Sequence, residues 1–211
     1  MIFRLDERLM FPDPVLAEED GLLALGGDLS AERLMLAYEN GIFPWYSEDE
    51  PILWFAPHER FVLYPDELRI SKSMRQLMRS GKFKITFDND FAGVIRACAA
   101  MPREGQDGTW ITGDMQEAYI NLHRLGNARS VEVWLGDELV GGLYGIPIGK
   151  VFCGESMFSK ASNASKQALI ALCQTGGYDL IDCQLPTDDL ASLGAKIIGR
   201  DEYLATLKGI E

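Results

Sequence analysis

The sequence contains few of the residues that metal centres and nucleophilic relays require. Its 211 residues include two histidines, His58 and His123, and four cysteines without a CxxC pair. Neither a zinc site nor a disulfide framework is therefore indicated, and a Ser-His-Asp relay is disfavoured. Since Cys98 and Cys153 have no neighbouring histidine, neither is favoured as a thiol nucleophile. We expect reduced, mostly buried thiols and no bound metal.

Long apolar runs and phosphate-binding glycine loops are also missing. No apolar run reaches the roughly 18 residues that span a bilayer, and four charged residues between positions 4 and 8 interrupt any signal-peptide core. We therefore expect a cytoplasmic protein with no membrane partner. Neither G-x-x-x-x-G-K-[ST] nor G-x-G-x-x-G occurs. Gly141, Gly142 and Gly145 instead lie in a strand pattern, which predicts a bulge or a close backbone approach.

The charge is unevenly distributed along the chain. The net charge of −12 argues by itself against a polyanionic partner. Residues 68–87, however, contain six cations and no acid, and Ser71 or Ser73 can cap a helix there that ends at Gly81. The cations on the polar side of this helix are Lys72, Arg75 and Arg79. Their face is either simply solvated or a contact surface for phosphates.

The order of helix and strand signals predicts an α+β fold. Apolar residues make up 47% of the chain and charged residues 25%, as in globular proteins. Ser30 and Thr112 are suitable helix caps, whereas from residue 130 the apolar period becomes two, with a turn at Gly136. A helix over residues 164–174, a strand over 180–183, a short helix near Asp189 and a final strand and helix follow. We expect a mixed sheet with mostly antiparallel strands.

The segment of residues 42–60 differs from the rest. It holds three prolines among five aromatic residues, which suits neither a helix nor a central strand. We therefore place a boundary near residue 60, between a small aromatic-rich N-terminal domain (residues 1–60) and a larger domain (residues 61–211). Trp45 and Trp54 lie in this segment, and Trp110 lies in a later Gly-rich loop. Such tryptophans either join two domains or offer rings on which a nucleobase stacks.

Three polar residues lie among strand residues. Asp182 and Gln184 are two apart on a predicted strand, so that both side chains should share one face. Glu155 ends another predicted strand among apolar neighbours, where a carboxylate needs partners. These groups either satisfy backbone donors or form a reacting centre.

Several strings together resemble the bacterial leucyl/phenylalanyl-tRNA–protein transferases. The resemblance is collinear from about residue 11 to residue 203. The strings that carry it are GLLALGGDL (residues 21–29), GIFPWY (41–46), GTWI (108–111), VEVW (131–134), LVGGLYG (139–145), GESMFS (154–159), LIDCQ (180–184) and SLGA (192–195).

The resemblance implies both a fold and an activity. The fold would be a GNAT-like acyltransferase domain behind the small N-terminal domain. The activity would move Leu, Phe or, less well, Met from tRNA onto an N-terminal Lys or Arg of acceptor proteins, which marks them for N-end rule degradation. Because the aminoacyl ester is already activated, no cofactor is expected.

The resemblance also assigns roles to residues. Trp45 and Trp110 would hold the 3′-terminal adenosine of the tRNA, and Glu155, Asp182 and Gln184 would line the reacting centre. We assign four further positions to the aminoacyl side-chain pocket, although each also reads as ordinary core: Leu143, Phe152, Met157 and Leu169. The segment 172–180 is shorter than is usual in the family, so the preference among Leu, Phe and Met stays open. Two other readings are a CoA-dependent acetyltransferase of the same fold and a non-catalytic RNA-binding module.

Overall fold

The computed structural model describes residues 2–101 and 109–209, and helices there begin where the sequence places caps. Ser30, Ser71 and Thr112 each accept a hydrogen bond from the backbone N–H three residues later. The helices are α1 (Ala31–Glu39), α2 (Lys72–Arg79), α3 (Phe91–Ala100), α4 (Gly113–Arg124), α5 (Ala164–Cys173), α6 (Asp188–Ser192) and α7 (Arg200–Leu207). No helix among the described residues is both long and apolar enough to cross a bilayer.

The strands of the described chain form two sheets. The first has the order β1-β2-β4-β3 and the second the order β11-β5-β10-β9-β8-β7-β6. The strands are β1 (Phe3–Leu5), β2 (Leu22–Gly26), β3 (Phe43–Pro44), β4 (Leu53–Phe55), β5 (Glu59–Leu63), β6 (Lys84–Phe87), β7 (Arg129–Leu135), β8 (Glu138–Ile148), β9 (Val151–Ser159), β10 (Leu180–Gln184) and β11 (Lys196–Gly199). The first sheet thus ends at residue 55 and the second begins at residue 59.

The seven-stranded sheet confirms the predicted α+β class with a mixed sheet. Its neighbours pair antiparallel, except that β9 and β10 are parallel. Helices α3 and α5 both pack on β7 and β8, and their buried residues belong to two different apolar clusters. The sheet is therefore covered by apolar side chains from both helices, which leaves its strand ends to carry polar groups.

The glycines of β8 lie where the backbone approaches its neighbours closely, as the sequence predicts. A Cβ on Gly141 would lie 2.5 Å from the Cβ of Ala164, and one on Gly145 would lie 2.2 Å from the carbonyl oxygen of Cys153. The register between β8 and β9 also shifts between Tyr144 and Gly145. Only glycine fits this contact without moving β9.

The N-terminal part contains strands that the sequence reasoning did not predict. β1 and β2 were not expected, and β3 and β4 lie within residues 42–60, where neither a helix nor a central strand was expected. β3 and β4 are only two and three residues long, and β3 is at the sheet edge. Pro44 is tolerated there because an edge strand need not donate from every N–H. The division into domains at residue 60 stays a prediction.

Candidate functional site

A cavity of about 830 Å³ opens between the two sheets. Its wall combines the first sheet, Trp110 just before α4, the strands β8 to β10 and helix α5. Nine of the residues singled out from the sequence line it: Trp45, Trp110, Leu143, Phe152, Glu155, Met157, Leu169, Asp182 and Gln184. The structure therefore brings the aromatic, apolar and polar sets to one place, although they come from distant parts of the sequence.

The polar end of the cavity lies where the parallel strands β9 and β10 stop pairing. Their register ends at Cys153 and Asp182, and the pairing of β10 with β5 shifts between Asp182 and Gln184. Gln184 has a left-handed backbone with φ of 59°. The bulge breaks the period of two on which the expectation for Asp182 and Gln184 was based. Both residues nevertheless line the same cavity.

Asp182 holds this bulge in place. Its carboxylate is 1% exposed, and Oδ1 accepts a hydrogen bond of 2.9 Å from the backbone N–H of Gln184. The other oxygen, Oδ2, accepts from Nη1 of Arg60 at 2.9 Å. Both oxygens of a buried carboxylate thus have partners, which a charge removed from water requires.

Glu155 lies at the centre of a hydrogen-bonded chain. The amide Nε2 of Gln184 donates to Oε1 of Glu155 at 3.0 Å, and the hydroxyl of Tyr119 donates to Oε2 at 3.2 Å. Tyr38 in turn donates to the Tyr119 hydroxyl. This chain runs from an amide and a carboxylate at the cavity wall to two buried phenols.

Burial changes the proton affinities in this chain. Desolvation raises the pKa of Glu155 to about 7, although its tyrosine and glutamine hydrogen bonds oppose the shift. Burial, followed by the charge of Glu155, raises the pKa of Tyr38 and Tyr119 well above 10. Near neutral pH, Glu155 therefore exchanges a proton readily while both phenols stay protonated.

The deep end of the cavity is apolar. Leu143, Phe152 and Leu169 are almost fully buried, and Met157 is half-buried. The ring of Phe152 packs edge-on against Tyr178 with 5.2 Å between centroids. These side chains belong to the core and also line the cavity; their role as the aminoacyl side-chain pocket stays a prediction.

The three tryptophans singled out from the sequence differ in environment. Trp54 is fully buried and donates from Nε1 to the carbonyl of Gly26 at 2.8 Å, so it is a core residue. Trp45 is 37% exposed beside Phe55, with 5.7 Å between the ring centroids, and lines the cavity. Trp110 is half-buried, packs against the larger apolar cluster and also lines the cavity. Gly108, which precedes it in the GTWI string, lies outside the described residues.

The basic helix lies apart from this cavity. Its side chains Lys72, Arg75 and Arg79 are exposed, and none of them lines the cavity. Met74 on the opposite side is buried and anchors α2 to the second apolar cluster. The predicted division of α2 into an apolar and a cationic face is therefore what the structure shows.

The cysteines offer no activated thiol. All four are thiols rather than disulfides, and burial raises the pKa of Cys153 and of Cys173 to about 12. A thiol that stays protonated at neutral pH is a poor nucleophile. Within residues 2–101 and 109–209, no group of three or more His, Cys, Asp or Glu side chains is placed to hold a metal ion.

Sequence reasoning missed three polar residues of the site. Arg60, Tyr38 and Tyr119 were not among the residues singled out from the sequence. Both tyrosines lie on the buried faces of helices α1 and α4. Their hydroxyls, however, converge on Glu155 only through the fold. A buried tyrosine needs a hydrogen-bond partner for its hydroxyl, and that requirement was the available signal.

Comparison with known proteins gives a consistent result. The model of the leucyl/phenylalanyl-tRNA protein transferase family matches residues 62–208, and that of its N-terminal domain matches residues 27–58. The leucyl/phenylalanyl-tRNA–protein transferase of Flavobacterium psychrophilum is 55% identical over 207 residues, 97% of this chain and 98% of that protein. The one from Pseudomonas fluorescens is 58% identical over 205 residues, 93% and 90% of the two chains.

Among solved structures, a GCN5-related N-acetyltransferase from Kribbella flavida is similar with a TM-score of 0.39 and 12% identity. That match covers 77% of this chain and 58% of the other. At this level the similarity concerns the fold alone.

The family match and the named relatives define the chain as an aminoacyltransferase. It belongs to the leucyl/phenylalanyl-tRNA–protein transferase family, as the resemblance in the sequence indicated.

Proposed function

We propose that this chain transfers Leu, Phe or Met from aminoacyl-tRNA to an N-terminal Lys or Arg of acceptor proteins and so marks them for N-end rule degradation. The names of its relatives give a tRNA-borne leucyl or phenylalanyl donor and a protein acceptor. The observation that carries the proposal is the single cavity that gathers two tryptophans, an apolar floor and the Glu155–Gln184 pair. We place the reaction in the cytoplasm, where charged tRNA is available.

The cavity matches the three parts of an aminoacyl-adenosine end. Trp45 and Trp110 offer ring faces on which the terminal adenine stacks, an interaction of roughly 1–3 kcal/mol per base. The apolar floor takes the amino-acid side chain, and the polar end takes the ester. Because the cavity is lined by elements from both sheets, the donor end is held against the reacting centre.

The reaction needs no covalent intermediate on the protein. The neutral α-amine of the acceptor attacks the ester carbonyl, a C–N bond forms, and the C–O bond to the ribose breaks. The amine loses one proton, and the departing ribose oxygen takes up one proton. Gln184, whose Nε2 is engaged by Glu155, has a carbonyl oxygen left to accept from the attacking amine. Glu155 orients Gln184 and anchors the amine or the ribose, and Asp182 fixes the backbone of Gln184.

The shape of the floor accounts for the side chains it accepts. Leu143, Phe152 and Leu169 form stiff walls, whereas Met157 is flexible and polarisable. Such a pocket takes the side chains of Leu, Phe and Met, which are not branched at Cβ. Ile and Val carry a branch at Cβ, next to the backbone, which makes these side chains stiff, and we expect this branch to clash with the pocket wall.

The cationic face of α2 supplies a second contact with the donor. The strongly acidic chain repels RNA over most of its surface. Lys72, Arg75 and Arg79 are exposed without an acid on their helix. We assign them to the tRNA phosphates, where they add affinity without reading the base sequence.

A transfer assay tests the proposed function. The protein is incubated with Leu-, Phe- or Met-charged tRNA and a peptide that begins with Arg, and the extended peptide is measured by mass spectrometry. We expect extension by these amino acids and none for a matched peptide that begins with Asp. Acetylation by acetyl-CoA without any transfer from tRNA would favour the acetyltransferase reading. Binding of tRNA without either reaction, unaffected by D182A or Q184A, would favour the RNA-binding module.

A further inference from the structure

Arg60 joins three distant parts of the chain at the cavity wall. It is 3% exposed, and Nη1 donates to Asp182 at 2.9 Å. Nη2 donates to the carbonyl of Gly41. The guanidinium also lies between two rings, 4.9 Å from the centroid of Phe43 and 4.6 Å from that of Tyr203. A single cation therefore links the N-terminal segment, strand β10 and helix α7.

These contacts orient Asp182 rather than merely neutralise it. A carboxylate with one oxygen held by Arg60 points its other oxygen in a fixed direction, here to the backbone N–H of Gln184. That hydrogen bond holds Gln184 in its left-handed conformation, from which its amide reaches Glu155. A planar guanidinium suits this task because its donors lie in fixed directions.

The same side chain relates the reacting centre to the adenosine wall. Gly41 and Phe43 precede Trp45 by four and two residues, and both contact Arg60. One buried arginine thus connects the segment that carries Trp45 with the strand that carries Gln184, while Trp45 itself is also held by its contact with Phe55. A displacement of about 1 Å at such a junction can lower a rate on the order of 100-fold.

We propose that Arg60 is a positioning residue for the transfer reaction and acts through Asp182. The proposal rests on the proposed function. Nothing in this role requires Arg60 to touch the reacting atoms. The expected signature is a loss of kcat, with the KM for aminoacyl-tRNA changed much less, because the ring faces and the apolar floor that bind the donor remain.

The test compares Arg60→Met with a matched control, Arg33→Met. Arg33 is also buried, at 1% exposure, and bonds to Asp28 and to the carbonyl of Asp6 without lining the cavity. Both variants lose a buried arginine, but only one of them affects Asp182. Single-turnover transfer rates are measured per folded molecule, together with Tm. We expect R60M to lose at least about tenfold in rate and R33M to stay within about twofold of the unmodified protein.

A double-mutant cycle with Asp182→Asn separates positioning from general destabilisation. If Arg60 acts through Asp182, the rate of the R60M/D182N double variant should equal that of the slower single variant. The double variant also removes both buried charges, so it should fold even if R60M alone does not. Arg60→Lys keeps the charge but cannot donate to Asp182 and to the Gly41 carbonyl from two fixed directions. This variant should recover only part of the rate.

The outcomes are distinguishable. Three results would each overturn the role of Arg60 while the proposed function stands. They are a double variant whose loss in rate is the product of the two single losses, a full rate for R60K, and equal rates for R60M and R33M. If the unmodified protein transfers nothing from any charged tRNA, it is the proposed function that fails.

Discussion

Replacing Glu155 by glutamine should remove a loss of stability that the unmodified protein suffers as the pH rises. The stability advantage of the variant should therefore grow with pH. Burial raises the pKa of Glu155 from 4.5 to about 7. An acid whose pKa rises on folding is protonated in the folded state over a range where the unfolded chain has released the proton. The free energy of unfolding therefore falls as the pH increases through that range. Between pH 5 and pH 8 the loss from this group is about 2–3 kcal/mol.

Glutamine at this position is always neutral, so the variant avoids that loss. The Tyr119 hydroxyl can rotate to accept from the new amide, which keeps the local hydrogen bonds. We expect the unfolding free energy of E155Q minus that of the unmodified protein to increase by about 2–3 kcal/mol between pH 5 and pH 8. This corresponds to roughly 5–10 °C in Tm. Transfer activity should fall at the same time.

The measurement is urea unfolding of both proteins at pH 5, 6, 7 and 8. Groups that titrate elsewhere cancel in the difference, so only position 155 contributes to its slope. A difference in unfolding free energy that stays flat across these pH values would refute the reasoning, since it would mean that Glu155 is not destabilised by its burial.

Three further tests address separate features of the structure. Trp110→Ala should raise the KM for aminoacyl-tRNA by about tenfold or more, as one stacking contact predicts, and equal relative losses in Tm and donor use would favour a purely structural role. Replacing the cations of α2 by serine should reduce the slope of log K against log salt for tRNA binding by about 2–3; an unchanged slope would remove the cationic face of α2 from the tRNA path. Gly145→Ala should destabilise the protein by about 3 kcal/mol, because its Cβ would collide with the Cys153 carbonyl. Gly113→Ala, with open space around it, is the control and should not destabilise; a similar loss in both variants would contradict the steric argument.

The helices and the strands of the larger sheet were predictable because their sequence signals are local. The caps Ser30, Ser71 and Thr112 lie next to the helices that they begin, and the turn at Gly136 lies between the strands that it joins. The first sheet was not predictable in the same way. β1 has only three residues and pairs parallel with β2, about 20 residues later, and β2 does not alternate between apolar and polar residues. Short strands of this kind gain their stability from partners that the local sequence does not show.

The candidate site shows the same limit. The motif residues could be named from the family resemblance, but Arg60 pairs with Asp182 across 122 residues of chain. Nothing near Arg60 in the sequence indicates that its side chain is buried. The bulge at Gln184 was missed for a related reason. Its positive φ of 59° is stabilised by the side chain of Asp182, and no glycine marks the position in the sequence.

The account depends on one cavity holding the adenosine and the amino-acid side chain at once. The most direct measurement is the crystal structure of the protein with a 3′-phenylalanyl-adenosine analogue in which a stable amide replaces the ester. The account predicts the adenine against Trp45 and Trp110, the phenyl ring among Leu143, Phe152 and Leu169, and the amide carbonyl within reach of Gln184. An analogue bound elsewhere, or bound with its phenyl ring outside the apolar floor, would contradict it.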